Sequence, residues 1–166
     1  LYSEQKFNKD KGIDWKKREK ELIKLLDKHR SKDGSWDCIV PSSHGKDSAL
    51  VAHQLKHQYG MHPLTVTWAP FIYTRIGWLN FYNMTQKGFD GLTAWPNGIT
   101  HRKLARVGFE VKGDPFEAFV NGQKAYPFQV AWKFKIPLIF YGENGEVEYG
   151  GSFKNVDKSH ESPEDW

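Results

Sequence analysis

The feature that most restricts the fold lies between residues 37 and 59. A short apolar run, Asp37-Cys38-Ile39-Val40, is stopped by Pro41. A loop of small and polar residues follows, Ser42-Ser43-His44-Gly45-Lys46-Asp47-Ser48, and from Ala49 to about Tyr59 the spacing is helical, with Leu50, Val51 and Leu55 predicted inward. Strand, tight loop and helix in this order form the first half of a βαβ unit. The alternation continues: Gly60 stops the helix, Leu64–Trp68 reads as a second strand, Thr74–Lys87 as a helix with Ile76, Leu79, Phe81 and Tyr82 on its apolar side, and Gly91–Trp95 as a third strand before Pro96. Residues 100–111 predict another helix. Gln123–Phe134 predict one more, with Pro127 demanding a late start or a kink, and Ile136–Tyr141 predict a fourth strand. Ahead of the first strand, Asp14 stands at an N-cap position. Trp15, Leu22, Leu25, Leu26 and His29 then recur at helical spacing up to about Arg30. Strands alternating with helices predict an α/β fold, a Rossmann-like parallel sheet with right-handed crossovers and helices on both faces. In such sheets ligands bind beyond the carboxyl ends of the strands, near the point where strand order reverses.

Composition narrows the class. A chain of 166 residues is one domain's worth, and its 15% aromatic content is too high for a disordered chain. No apolar stretch is long enough to span a membrane and no signal peptide opens the sequence. The single cysteine, Cys38, excludes an internal disulfide or a cysteine-rich metal cluster, so the expected location is cytoplasmic. A net charge of +4 favours anionic small molecules but is too weak to predict nucleic-acid binding.

The loop carries the chemistry. A helix start preceded by small residues turns backbone N–H groups toward an anion, Ser43 and Ser48 can add hydroxyls, and Lys46 adds a charge. A Walker A loop needs glycine where Val40 stands and Ser or Thr where Asp47 stands, so attack at a γ-phosphate is not expected. The stretch resembles the PP-loop, Ser-Gly-Gly-x-Asp-Ser, of the ATP pyrophosphatases, through Ser43, Gly45, Lys46, Asp47 and Ser48. His44 stands at that motif's first glycine. Further collinear segments resemble the N-acetyl sugar amidotransferases of bacterial surface-polysaccharide and flagellin-sugar pathways. They are Ile13–Glu19, Asp37–Pro41, Lys56–Leu64, His101–Arg106, Tyr126-Pro127-Phe128, Tyr141–Asn144 and Glu148–Gly151. The resemblance runs from about residue 13 to 151. It implies a lead-in at 1–12, an ATP-binding domain of the PP-loop (adenine nucleotide alpha hydrolase, HUP-like) type at 13–151, and a polar, mobile tail at 152–166. Two features depart from that family: no cysteine-rich zinc motif precedes the region, and the sequence ends within 15 residues of Gly151.

The resemblance implies an enzyme that uses ATP and magnesium to adenylate the amide oxygen of an N-acetylated nucleotide sugar, with ammonia from a glutaminase partner completing an acetamidino group. It assigns Lys46, Asp47, Arg102 and Glu143 to catalysis and Asp47 to magnesium. Ser43, His44, Gly45, Lys46, Asp47, Ser48, Trp68, Thr74 and Gly142 would hold the nucleotide, with adenine beside Trp68, and Asn144, Tyr149, Gly150 and Gly151 would meet the sugar. Two alternatives stand beside it: a PP-loop ligase that modifies tRNA, against which the lone cysteine speaks, and a nucleotide-binding module without catalysis. His53 and His57, four apart on a helix, have metal-ligand spacing but no third ligand nearby in sequence, and read as ordinary histidines. Cys38 reads as a core residue. Arg102, Lys103 and Arg106 also fit a solvated helix face, and Trp68, Trp78, Trp95 and Trp132 read as core or pocket wall.

Overall fold

The computed structural model describes residues 12–143. Helix α1 spans Trp15–His29, β1 Cys38–Pro41, α2 Lys46–His53, β2 Pro63–Trp68, α3 Arg75–Gln86, β3 Asp90–Ala94, α4 Gly98–Lys112 and α5 Glu117–Phe134. A turn of π-helix, Gln54–Gln58, prolongs α2. The fold is α/β: β1, β2 and β3 pair in parallel in that order, compatible with a Rossmann-like fold. Asp14 caps α1 as expected, accepting the Lys17 N–H at 3.0 Å.

Alternation along β1 divides the core. Cys38 and Val40 point to one face, where Leu26 of α1, Ala52 of α2, Leu55, Met61 and Phe89 close over them and Met84 of α3 packs alongside. Ile39 points to the other face and meets Leu64 and Val66 of β2, Ile136, and Val130 of α5. Both faces of the sheet are thus covered by helices, and α4 packs on α5. Burial pushes the Cys38 thiol up to about 12, with neighbouring Asp37 adding to the shift, which makes it an inert core residue. Asp37 is buried at the foot of β1 and accepts the Ser31 N–H at 2.6 Å and the His62 N–H at 2.7 Å, tying the entries of β1 and β2 together.

Four expectations need correction. The fourth strand reduces to a single parallel bridge, Ile39 with Ile139, in which Ile39 donates to the Leu138 carbonyl and accepts from the Phe140 N–H, both at 2.8 Å. The next rung would need an N–H from Pro41, which has none. Helix α5 begins at Glu117, well before Gln123, and runs through Pro127, which is buried. Leu50 faces solvent, and the buried positions of α2 are Ser48 and Ala52. None of the α3 residues is buried, so Ile76, Leu79 and Tyr82 stand exposed where a core face was expected; on α1, Trp15 and Leu25 are exposed too.

Among the described residues no helix is long and apolar enough to cross a membrane. The segments expected as lead-in and tail lie almost entirely outside the described residues, as do Asn144, Tyr149, Gly150 and Gly151.

Candidate functional site

Residues 42–45 join β1 to α2 through a sharp turn. Ser42 leaves the strand with its N–H on the Val66 carbonyl at 2.9 Å, and Thr67 donates its hydroxyl to the Ser42 carbonyl at 2.8 Å, so β2 fixes where the loop begins. His44 then takes φ 61°, the left-handed conformation that glycine adopts most easily and that histidine visits more often than most residues. Its N–H donates to the Ser42 hydroxyl at 3.1 Å, and the Gly45 N–H donates to the Ser43 hydroxyl at 3.2 Å. Ser48 is buried, receives the Ser42 hydroxyl at 3.2 Å and donates to the Gly45 carbonyl at 3.4 Å. Two of the loop's N–H groups are therefore held by serines.

Helix α2 opens at Gly45 with no side chain capping it. Its first helical bond runs from the Ala49 N–H to the Gly45 carbonyl, so the N–H groups of Lys46, Asp47 and Ser48 lie outside the helix's own ladder. Ser43, Lys46 and Asp47 are exposed around this terminus. An anion there meets the positive end of the helix dipole, amides outside the helix's ladder and an ammonium.

The imidazole of His44 turns inward. It is buried and meets the Phe81 ring edge-on, 4.6 Å between centres. Its Nδ1 is buried without a hydrogen-bond partner, and burial lowers its pKa to about 4. A neutral ring results, one that adds no charge near neutral pH. His44 thus reproduces the backbone of a glycine while its side chain serves the interior.

The other wall comes from far along the chain. After the bridge at Ile139 the chain reaches Gly142, whose Cα faces the first turn of α2 so closely that an added Cβ would lie 2.8 Å from the Ser48 nitrogen and 2.9 Å from the Asp47 carbonyl carbon. Only glycine fits. The chain leaves β3 through α4 and α5 and returns to the opposite side of β1, so strand order reverses at β1. The start of α2, which the 42–45 loop leads into, and Gly142 meet at that reversal, the position at which open α/β sheets bind ligands.

The remaining predicted residues are distributed unevenly. Trp68 ends β2 half-buried against α5: a Cβ on Gly122 would fall 2.2 Å from its ring, and the His101 and Tyr126 rings lie 6.2 and 6.0 Å away. Thr74 caps α3, accepting the Gly77 N–H at 3.0 Å. Arg102 is exposed on α4, its guanidinium beside Gly98 of the same helix. Glu143 is exposed directly after Gly142. His53 and His57 lie with ring centres 4.3 Å apart, and no group of three metal-ligating side chains occurs among the described residues. Sequence reasoning passed over Ser42 and Thr67, which fix the loop. Their signal was a hydroxyl directly after the strand-ending proline, and another at an alternate position of the neighbouring strand.

No protein-family model matches the chain, and no curated protein matches it at a significant level.

Proposed function

We propose that this domain binds ATP with its phosphates at the 42–48 loop and activates an amide oxygen by adenylation, in the manner of the PP-loop amidotransferases that its motifs resemble. The observation that carries the reading is the loop itself. It joins a strand to an uncapped helix start at the reversal of strand order, with His44 in the backbone conformation of the glycine it replaces and Gly142 against the first turn of that helix. Walker A chemistry needs a different pattern of glycine and hydroxyl, and attack at the α-phosphorus is what the resemblance to the PP-loop implies.

In this reading Lys46 neutralises charge on the pyrophosphate portion, and the amides of Lys46 and Asp47 orient it. Asp47, exposed beside them, is the carboxylate that fits a magnesium ion shared with phosphate oxygens, and the ion would supply charge neutralisation. The N-acetyl oxygen of the sugar attacks the α-phosphorus, an O–P bond forms, and the bond to pyrophosphate breaks. Ammonia then adds to the activated carbon and AMP leaves with the former amide oxygen. Loss of a proton from the incoming nitrogen gives the acetamidino group. Positioning and electrostatic stabilisation are what such a site contributes. Glu143 follows Gly142 at the lip and is the described carboxylate best placed in sequence to meet the reacting amide. Arg102 joins Lys46 in neutralising the pyrophosphate, and Asn144, Tyr149, Gly150 and Gly151 complete the proposed acceptor side.

The test is pyrophosphate release by the full chain with MgATP, a nucleotide-linked N-acetyl sugar and ammonium chloride, which removes the need for a glutaminase. Release that requires all three components, and that falls at least 100-fold in Lys46→Ala, is the expected result. Tight ATP binding without release assigns a nucleotide-binding module. Release dependent on tRNA in place of the sugar assigns the ligase alternative.

A further inference from the structure

Three aromatic rings stand together just past the carboxyl ends of β2 and β3. Tyr73 ends the loop after β2, Trp78 lies in the first turn of α3, and Trp95 directly follows β3. Tyr73 lies 4.6 Å from Trp78 and 5.7 Å from Trp95, centre to centre. The two indoles lie 5.9 Å apart and only 25° from parallel. An offset stack of this kind is a favourable arrangement of rings, yet Trp78 remains 48% and Trp95 59% exposed. These indoles are not core.

The group is continuous with the loop. Phe81, one turn along α3, lies 5.9 Å from Trp78 on one side and 4.6 Å from His44 on the other. One aromatic wall therefore runs from the phosphate end of the crevice to the stacked indoles. The indole expected to face adenine, Trp68, is half-buried, with Gly122 against its ring and His101 and Tyr126 beside it, so it offers less open surface than the exposed indoles. Beyond the strand ends, the exposed flat surface connected to the loop is the Trp78–Trp95 pair.

We infer that Trp78 and Trp95, backed by Tyr73, form the stacking platform for the adenine ring of the nucleotide whose phosphates the loop holds; the inference rests on the ATP reading above. A purine and an indole share large flat π-faces, and stacking of this type changes affinity by roughly 10- to 100-fold when the aromatic ring is removed. Phosphates at the loop and base on the platform lay the nucleotide along the wall formed by Phe81. The lip at Gly142, on the far side of the loop, is left for the second substrate.

Titration calorimetry on the full chain separates this inference from its foundation. The probes are MgATP, inorganic tripolyphosphate with magnesium, and N-acetylglucosamine. The wild type is expected to bind ATP at least 10-fold more tightly than tripolyphosphate. Trp78→Ala and Trp95→Ala should each weaken ATP by about 10-fold or more while tripolyphosphate affinity stays within twofold, and Trp78→Phe should restore most of the loss. Equal affinity for ATP and tripolyphosphate in the wild type, or unchanged ATP affinity in both alanine variants, overturns the platform and leaves the loop reading intact. Binding of N-acetylglucosamine that disappears in the variants while ATP is retained gives the platform to the acceptor sugar and also overturns the inference. Failure of the wild type to bind either phosphate compound overturns the loop reading and the platform with it. If an alanine variant loses tripolyphosphate as well, the phenylalanine variant decides: retained ATP affinity supports stacking, and lost ATP affinity with retained tripolyphosphate refutes it.

Discussion

His44 does two jobs that pull in different directions. Its backbone takes a left-handed turn that costs a non-glycine residue roughly 1 kcal/mol, and its ring fills a buried position against Phe81. The interior ring keeps its pKa near 4 because burial penalises the charged form, whereas the unfolded chain protonates it near 6.5. Above pH 6.5 the group is neutral in both states and folding is unaffected. Between pH 6.5 and 4 the unfolded state binds a proton that the folded state refuses, so stability falls, by on the order of 3 kcal/mol once both forms are charged. His44→Gly keeps the left-handed turn and removes the titrating ring. Urea unfolding at pH 7 and pH 4 should show the wild type losing about 3 kcal/mol more than the variant; an equal loss in both would show that His44 is not buried as described. The sequence shows a histidine between Ser43 and Gly45 in a loop of small residues. It does not show which way the ring turns, because that depends on Phe81, 37 positions away.

At the scale of elements, the β-α alternation was legible because strands and helices differ in period and because Gly60, Pro96 and Asp14 punctuate them. The fourth strand was not. Its apolar run predicts a full strand, but a ladder needs donors on both sides and Pro41 withholds one from β1. Likewise Pro127 argued for a late helix, and packing of α5 on the sheet outweighed the one lost hydrogen bond. The resemblance assigned Trp68 and Thr74 to the nucleotide. The structure gives each an internal partner, and both assignments can be measured. Thr74→Ala should lower stability by about 1 kcal/mol in thermal or urea unfolding by uncapping α3, with Thr74→Ser largely restoring it and ATP affinity unaffected. Gly122→Ala would place a methyl group 2.2 Å from the Trp68 ring, so α5 and β2 must separate or the indole must leave its slot. A loss of about 1–3 kcal/mol, accompanied by a change in near-ultraviolet circular dichroism, is expected. A neutral outcome would mean that Trp68 has another rotamer available, and its role as a wall of the crevice would return.

Across the whole molecule the candidate site depends on two segments nearly a hundred residues apart. The loop belongs to the βα unit at the start of the sheet; Gly142 arrives only after the chain has crossed through α4 and α5 and bridged to Ile39 on the free side of β1. Each segment was visible in the sequence, one as a small-residue loop before a helix and the other as a glycine after an apolar run. Their contact was not, since it depends on strand order. The contact is between backbones, where no flexible side chain can yield: the nearest atoms to a Cβ on Gly142 are the Ser48 nitrogen at 2.8 Å, the Asp47 carbonyl carbon at 2.9 Å and the Ser48 Cα at 3.0 Å. Gly142→Ala must therefore push the lip away from α2 and should lower both unfolding free energy, by about 1–3 kcal/mol, and affinity for tripolyphosphate. Lys46→Ala removes an exposed charge that no core residue uses, so it should weaken tripolyphosphate at least 10-fold while leaving the urea midpoint within error. The pair separates architecture from charge. If Gly142→Ala lowered stability yet left tripolyphosphate binding intact, the returning segment would be a brace for the sheet and not a lip of the site, and the anion would have to be held by the α2 terminus and Lys46 alone.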